Sequence, residues 1–133
     1  MKKYLLDTDI CVFFLQGKYN IKDKILENGL ENCFISEITI AELKYGAIKS
    51  KNRKKHLKEV DLVIELFAIL PIFDSLDMYA IEKVRLQNQG KLISDFDLLI
   101  GATAITNDMI MVSNNEKHLS RISNIKLENW TKG

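Results

Sequence analysis

Short apolar runs separated by stretches of helical periodicity leave this chain few folds to choose from. Strands are predicted over residues 3–7, around Tyr4-Leu5-Leu6, then at Cys33-Phe34-Ile35, Ile69-Leu70-Pro71-Ile72-Phe73, residues 109–113 and Ile125-Lys126-Leu127. They are brief and show little in–out alternation, as in a parallel sheet buried on both faces. Strands that alternate with helices in the chain give the same answer, a three-layer α/β/α domain with a mostly parallel central sheet. Pro71 marks the third strand as an edge or a bulge.

The intervening segments carry their own punctuation. Asp7-Thr8-Asp9 supplies cap chemistry for a helix through residues 10–15 that ends near Gly17, and Asn20 opens a second that closes at Asn28-Gly29. Ser36 caps a helix with Ile38, Ala41, Tyr45 and Ile48 on its expected inner face. A basic stretch from Lys49 to Lys58 runs into an amphipathic helix with Leu57, Val60, Ile64 and Phe67 on one side. Helices follow over residues 75–89 and 94–106, the latter capped by Ser94 or Asp95, and a short one over 116–119.

Three acidic residues interrupt or border these apolar runs: Asp7 after the first strand, Glu42 after Ile38-Thr39-Ile40-Ala41, and Asp97 before Leu98-Leu99-Ile100. A carboxylate taken out of water is costly unless it is paired or holds a metal. The bland account makes Asp7 a helix cap and pairs Glu42 with Lys44 and Asp97 with Arg85. The sharper one gathers the three around Mg²⁺, with Mn²⁺ as a substitute, since both are hard cations that prefer oxygen ligands. In a parallel sheet the ligand site lies beyond the carboxyl ends of the strands, where Asp7, Ser113 and Asn114 stand.

At 133 residues the chain is predicted to be one domain spanning 1–133. A net charge of +1 provides no global field for nucleic acid or membrane, so any attraction is local. Asp7 and Asp9 break the N-terminal apolar run, and no stretch approaches the roughly 20 apolar residues of a membrane span, so a cytoplasmic protein is expected. Cys11 and Cys33 lie in apolar surroundings without metal-ligand spacing and read as core thiols.

The ordered motifs resemble a known family. Tyr4-Leu5-Leu6-Asp7-Thr8-Asp9-Ile10 is similar to the opening strand and first aspartate of PIN-domain nucleases. Ile40-Ala41-Glu42-Leu43-Lys44-Tyr45-Gly46-Ala47 resembles their second motif, and Ile93-Ser94-Asp95-Phe96-Asp97-Leu98-Leu99-Ile100-Gly101-Ala102 their third. Val112-Ser113-Asn114-Asn115 and Leu127-Glu128-Asn129-Trp130 resemble the tail of VapC-type toxins. The resemblance implies a Mg²⁺-dependent endoribonuclease toxin that cuts tRNA or another structured RNA, is silenced by a VapB-type antitoxin, and forms a homodimer. It makes Asp7, Glu42 and Asp97 the metal-binding catalytic acids, with an activated water leaving 5′-phosphate and 3′-hydroxyl ends.

Thr8, Asp9, Asp95, Ser113 and Asn115 are accessory candidates under this reading. Two of them depart from the family pattern. Asp9 stands where asparagine is frequent, and Asn115 occupies the place of a fourth acid.

Two other readings fit parts of the same sequence. Asp7-Thr8-Asp9 also resembles the nucleophile-and-acid pair of haloacid-dehalogenase-like phosphatases. Against this, Cys11 is atypical and no lysine is well placed between Phe73 and Asp97. A PIN domain that binds RNA or a partner without cutting is the non-enzymatic reading. Lys51, Arg53, Lys54 and Lys55 are the expected phosphate contacts, placing RNA by charge without reading its bases.

Overall fold

The computed structural model describes residues 1–132. Five strands form one sheet, β1 (Tyr4–Leu6), β2 (Cys33–Ser36), β3 (Ala68–Leu70), β4 (Ile110–Val112) and β5 (Leu127–Glu128), in the order β3-β2-β1-β4-β5. Every adjacent pair is parallel, so the sheet is wholly and not merely mostly so. The strand order reverses at β1. Asp7 follows β1 and Ser113 follows β4, which brings two distant parts of the chain to one carboxyl edge.

Helices cover both faces. Helices α1 (Thr8–Gln16), α2 (Ile21–Asn28), α3 (Glu37–Lys49) and α4 (Arg53–Leu66) bury residues such as Ile10, Ile25, Leu43 and Val63 against Tyr4, Leu6 and Ile35. On the other face, α5 (Leu76–Asn88), α6 (Asp95–Thr106) and α7 (Glu116–Leu119) pack Leu86, Leu98, Ile100 and Leu119 against Leu5 and Met111. The alternation of Leu5 and Leu6 between two cores is the period-two geometry of a strand buried on both sides.

Local chemistry sets the ends of the elements. Asp7 caps α1 through its own side chain, Ser36 caps α3 with Oγ accepting from Ile38 N, and Ser94 caps α6 by accepting from Asp97 N. Asn20, by contrast, takes φ 55° and makes no side-chain cap for α2. β3 stops at Leu70, before the expected Phe73, because Pro71 cannot donate to a ladder and Phe73 begins a 3₁₀ turn. β5 lies slightly later than expected, at Leu127–Glu128.

The inner face of α3 also differs from expectation. Thr39, Leu43 and Ala47 are buried, whereas Tyr45 is 68% exposed and Ile48 47%. Both cysteines are buried and free. No helix among the described residues is long and apolar enough to cross a membrane.

Candidate active site

Asp7 is 5% exposed, although it follows directly on β1 and begins a helix. Its Oδ1 accepts from Thr8 N at 2.8 Å, and its Oδ2 accepts from Ser113 Oγ at 2.7 Å. Burial nevertheless dominates, and with the nearby Asp9 charge it raises the Asp7 carboxyl from its ordinary 3.8 to about 7. Asp97 adds to the same rise. Asp9 is shifted upward too, by burial first and by Asp97 and Glu42 after it, against the lowering bonds from Asn114 and Ile10. Charge from Asp9 and Asp97 thus acts on Asp7, and charge from Asp97 and Glu42 acts on Asp9, so these carboxylates lie near one another.

Each acid is held by a neutral group. Thr8 Oγ1 donates to Glu42 Oε1 at 2.6 Å and shares a 3.0 Å hydrogen bond with the Thr39 hydroxyl. Asn114 N donates to Asp9 Oδ2 at 3.0 Å, while Asp9 Oδ1 is buried and accepts no hydrogen bond. Asn115 Nδ2 donates to Asp97 Oδ2 at 3.2 Å, and Asn115 Oδ1 lies 3.0 Å from His118 Nδ1. A carbonyl oxygen can only accept, so His118 carries its proton on Nδ1 and fixes the Asn115 amide toward Asp97. The positive N-terminal ends of α1 and α6 add fixed partial charge beside Asp7 and Asp97.

The simple pairing account does not hold. Among the described residues the ion pairs are His56–Glu59, Lys83–Asp95, Arg85–Glu82, Lys126–Asp108 and Lys132–Glu116, and none includes an acid of this centre. Arg85 is committed to Glu82 and the Arg121 carbonyl, so it leaves Asp97 alone. Asp95 does not join the centre. It is exposed and bound by Lys83 at 2.9 Å and by Tyr79 at 2.8 Å, which hold its carboxyl low.

The donors present suit a hard divalent cation. They are carboxylate oxygens in excess of their partners, with the bare Asp9 Oδ1 among them. Cys11 is fully buried in the core, and burial with the Asp7 and Asp9 charges pushes its thiol upward. Among the described residues, no three His, Cys, Asp or Glu side chains close into a finished cage. Of these acids, Glu42 lines a cavity, together with Thr8.

The basic segment divides in two. Arg53 Nε and Nη2 both donate to the Ile48 carbonyl, at 3.1 and 2.9 Å, and so close the end of α3. Lys51, Lys54 and Lys55 are all exposed, and Lys55 also lines the same cavity as Thr8 and Glu42. Thr39 and the Asn114 backbone amide are contributions that the sequence did not reveal. A threonine in an apolar helix face and a main-chain N–H carry no distinctive side-chain signal.

Comparison with known proteins bears on what such a centre does. The PIN domain family model matches residues 4–125. Ribonuclease VapC2 of Rickettsia felis is 34% identical over 97% of this chain and 98% of its own length. The tRNA(fMet)-specific endonuclease VapC of Shigella flexneri is 29% identical, over 98% of this chain and all (100%) of its own. The solved structure of DNA-bound VapBC from Salmonella typhimurium superposes with a TM-score of 0.91 at 28% identity, covering 98% of this chain and 99% of that one.

Proposed function

The chain belongs to the PIN domain family and is an endoribonuclease of the VapC toxin class, and on that premise we propose that it cuts tRNA in a Mg²⁺-dependent reaction. The observation that carries this reading is the set of hydrogen bonds from Thr8, Ser113, Asn114 and Asn115 that holds Asp7, Asp9, Glu42 and Asp97 near one another, with no basic partner among the described residues. Asp7, Asp97 and Glu42 are the proposed metal-binding catalytic acids, and the partnerless Asp9 Oδ1 makes Asp9 the accessory ligand best supported by geometry. A bound divalent cation lowers the pKa of water and offsets charge on the phosphorus oxygens.

The protein's own part is positional. Ser113 and the Thr8 amide hold Asp7, Thr8 Oγ1 holds Glu42, Asn114 N holds Asp9, and Asn115 holds Asp97. Asn115 thus serves as a donor to an acid and not as a fourth acid. The expected ends are 5′-phosphate and 3′-hydroxyl. A phospho-aspartate route is disfavoured, since Lys83, in the stretch between Phe73 and Asp97, is spent on Asp95.

A VapB-type antitoxin is the proposed partner and the cytoplasm the proposed place of action. Homodimerisation is proposed as well, with Ile81 and Val84 exposed on α5 at 65% and 58% as the apolar surface available for it.

Protein dialysed against EDTA is expected to lose RNA cleavage and to regain it with Mg²⁺ or Mn²⁺ but not Ca²⁺, whose looser coordination misplaces the reacting groups. At limiting Mg²⁺ the rate should climb as pH rises through about 7, because Asp7 must shed its proton to bind a cation, and level off above. Timed digestion of total cellular RNA, with tRNA and messenger RNA followed separately, checks both points. Undiminished cleavage in EDTA would remove the metal from the mechanism, and an intact tRNA pool beside cut messenger RNA would replace the substrate.

Charge at the hairpin between α3 and α4 has a separate expected effect. Lys51→Ala with Lys54→Ala should flatten the dependence of log affinity on log salt by about 0.7 for each single-strand phosphate that is no longer neutralised. Binding of the Asp97→Asn protein to tRNA over a salt series measures this. An unchanged slope would make these lysines ordinary solvated surface.

A further inference from the structure

Thr8 and Glu42 do more than belong to the acidic centre. They also form one end of a cavity of about 570 Å³ between α1, α3 and α4. Val12, Ala47 and Val60 give it apolar walls, and Gln16, Lys55, His56 and Glu59 place polar groups along them.

Gly46 lies on this cavity, and the fold gives no reason for a glycine there. It stands well inside α3, where glycine is the poorest helix former after proline. The other described glycines are accounted for. Gly17, Gly29 and Gly90 take φ of 69°, 95° and 66°, and a Cβ on Gly101 would lie 2.3 Å from Ile122 Cδ1. A Cβ on Gly46 would meet nothing within 4 Å. What a longer side chain would obstruct is the cavity itself.

We propose that this cavity receives the base of a nucleotide adjoining the cleaved phosphodiester, and that Gly46 leaves room for it. The inference rests on the nuclease reading above. A base hangs one sugar away from its phosphate, which suits a cavity that shares Thr8 and Glu42 with the acids. Its faces fit apolar walls, and its edge needs donors and acceptors at fixed places. The Gln16 amide offers one of each. Glu59 Oε1 is tied to His56 Nδ1 at 2.6 Å, which fixes the carboxylate and leaves its other oxygen to accept from an amino or imino group. Guanine offers both an amino and an imino donor on one edge, adenine and cytosine an amino group, and uracil an imino group alone. Lys55 at the same wall suits a neighbouring phosphate, a charge pattern that favours RNA over an apolar peptide side chain.

Two measurements decide the matter. In the first, random-sequence single-stranded RNA is digested by wild type, Gly46→Leu and Glu59→Gln protein, and the new ends are sequenced. Wild-type cuts should be enriched about tenfold for one base beside the cut. Gly46→Leu should abolish that enrichment, and Glu59→Gln should weaken or redirect it. In the second, the nucleoside 5′-monophosphates are titrated one at a time into the Asp97→Asn protein, with methyl NMR on Val12, Ala47 and Val60. The preferred nucleotide should shift these methyls, and adding Gly46→Leu should remove the shift.

Base enrichment that survives in both variants, or nucleotides that leave the methyls unmoved, would overturn the proposal. So would a Gly46→Leu protein that keeps its base preference but loses its VapB-type antitoxin, since the cavity would then be a peptide site. If Gly46→Leu fails to fold, Glu59→Gln carries the same comparison. Methyl shifts in a protein that cuts no RNA would fail the nuclease reading and leave the cavity a nucleotide site. RNA cut without base preference or methyl shifts would do the reverse.

Discussion

Asp7→Asn protein is expected to cut RNA at least about a thousandfold more slowly than wild type, a loss of about 4 kcal/mol of transition-state stabilisation. In EDTA near pH 8 it should nevertheless melt higher, by roughly 5 °C or more. The two effects share one origin. Asp7 is buried, and its carboxyl is raised from 3.8 to about 7 by desolvation and the Asp9 charge, so ionising it in the folded metal-free chain is unfavourable. At about 1.4 kcal/mol for each pH unit, the cost is on the order of 4 kcal/mol.

The direction with pH follows. Between about 4 and 7 the folded chain keeps a proton on Asp7 that the unfolded chain has lost. Metal-free wild type should therefore lose stability as pH rises through that window and change little above it. The asparagine variant lacks the charge and should show a flatter profile. Calorimetry at pH 5 and pH 8 with the metal removed separates the proteins. A variant that melts well below wild type at pH 8 would mean that Asp7 is needed by the fold, and its inactivity would then say nothing about the chemistry.

Trp130→Ala is expected to be the most damaging change outside the acidic centre, at about 3–5 kcal/mol of stability. That is a large part of the usual margin of roughly 5–15 kcal/mol. Trp130 is 5% exposed, packs against Tyr4 with ring centroids 5.3 Å apart, and donates from Nε1 to Glu128 at 3.0 Å. Its neighbours in the chain reach the site. Asn129 Nδ2 and Thr131 Oγ1 both donate to Asn114 Oδ1, and the Asn114 amide holds Asp9. Activity should fall at temperatures where the protein is still folded, because Asp9 loses its support before the core opens. Trp130→Phe, which keeps most of the ring packing, should recover the greater part of both. Denaturant unfolding and RNA cleavage at 15 °C would show whether the losses track each other. Full activity in a folded Trp130→Ala protein would cut the tail out of the site's support.

The sequence disclosed most about positions where one residue type has one use. A short apolar run stopped by Asp7-Thr8-Asp9 reads as a strand entering a capped helix, and Ser94 or Asp95 reads as the cap of α6, where the structure has Ser94. Where several uses compete, the pattern misleads. α3 carries Ile38, Ile40, Leu43, Tyr45, Ala47 and Ile48, apolar residues on nearly every side, so periodicity does not select the face that the sheet and α4 bury. Tyr45 reads as an inner residue and lies outside. Arg53 has the chemistry of a phosphate contact, but the nearby Ile48 carbonyl takes both donors. Asp95 and Asp97 are two residues apart on one helical turn and so point in different directions, one to Lys83 and one to Asn115. The parts that were least legible are main-chain donors such as Asn114 N, since every residue but proline has one.

The partners in this site are as far apart along the chain as its length nearly allows. Asp7 bonds to Ser113 across 106 positions, and Asp9 to Asn114 across 105. A ribosome delivers β1 well before β4, so the acids have no completed setting until β4 has been made. A messenger cut short before β4 would release a chain without its nuclease. Until Ser113 and Asn114 have been added, a growing chain carries Asp7 and Asp9 without the donors that hold them.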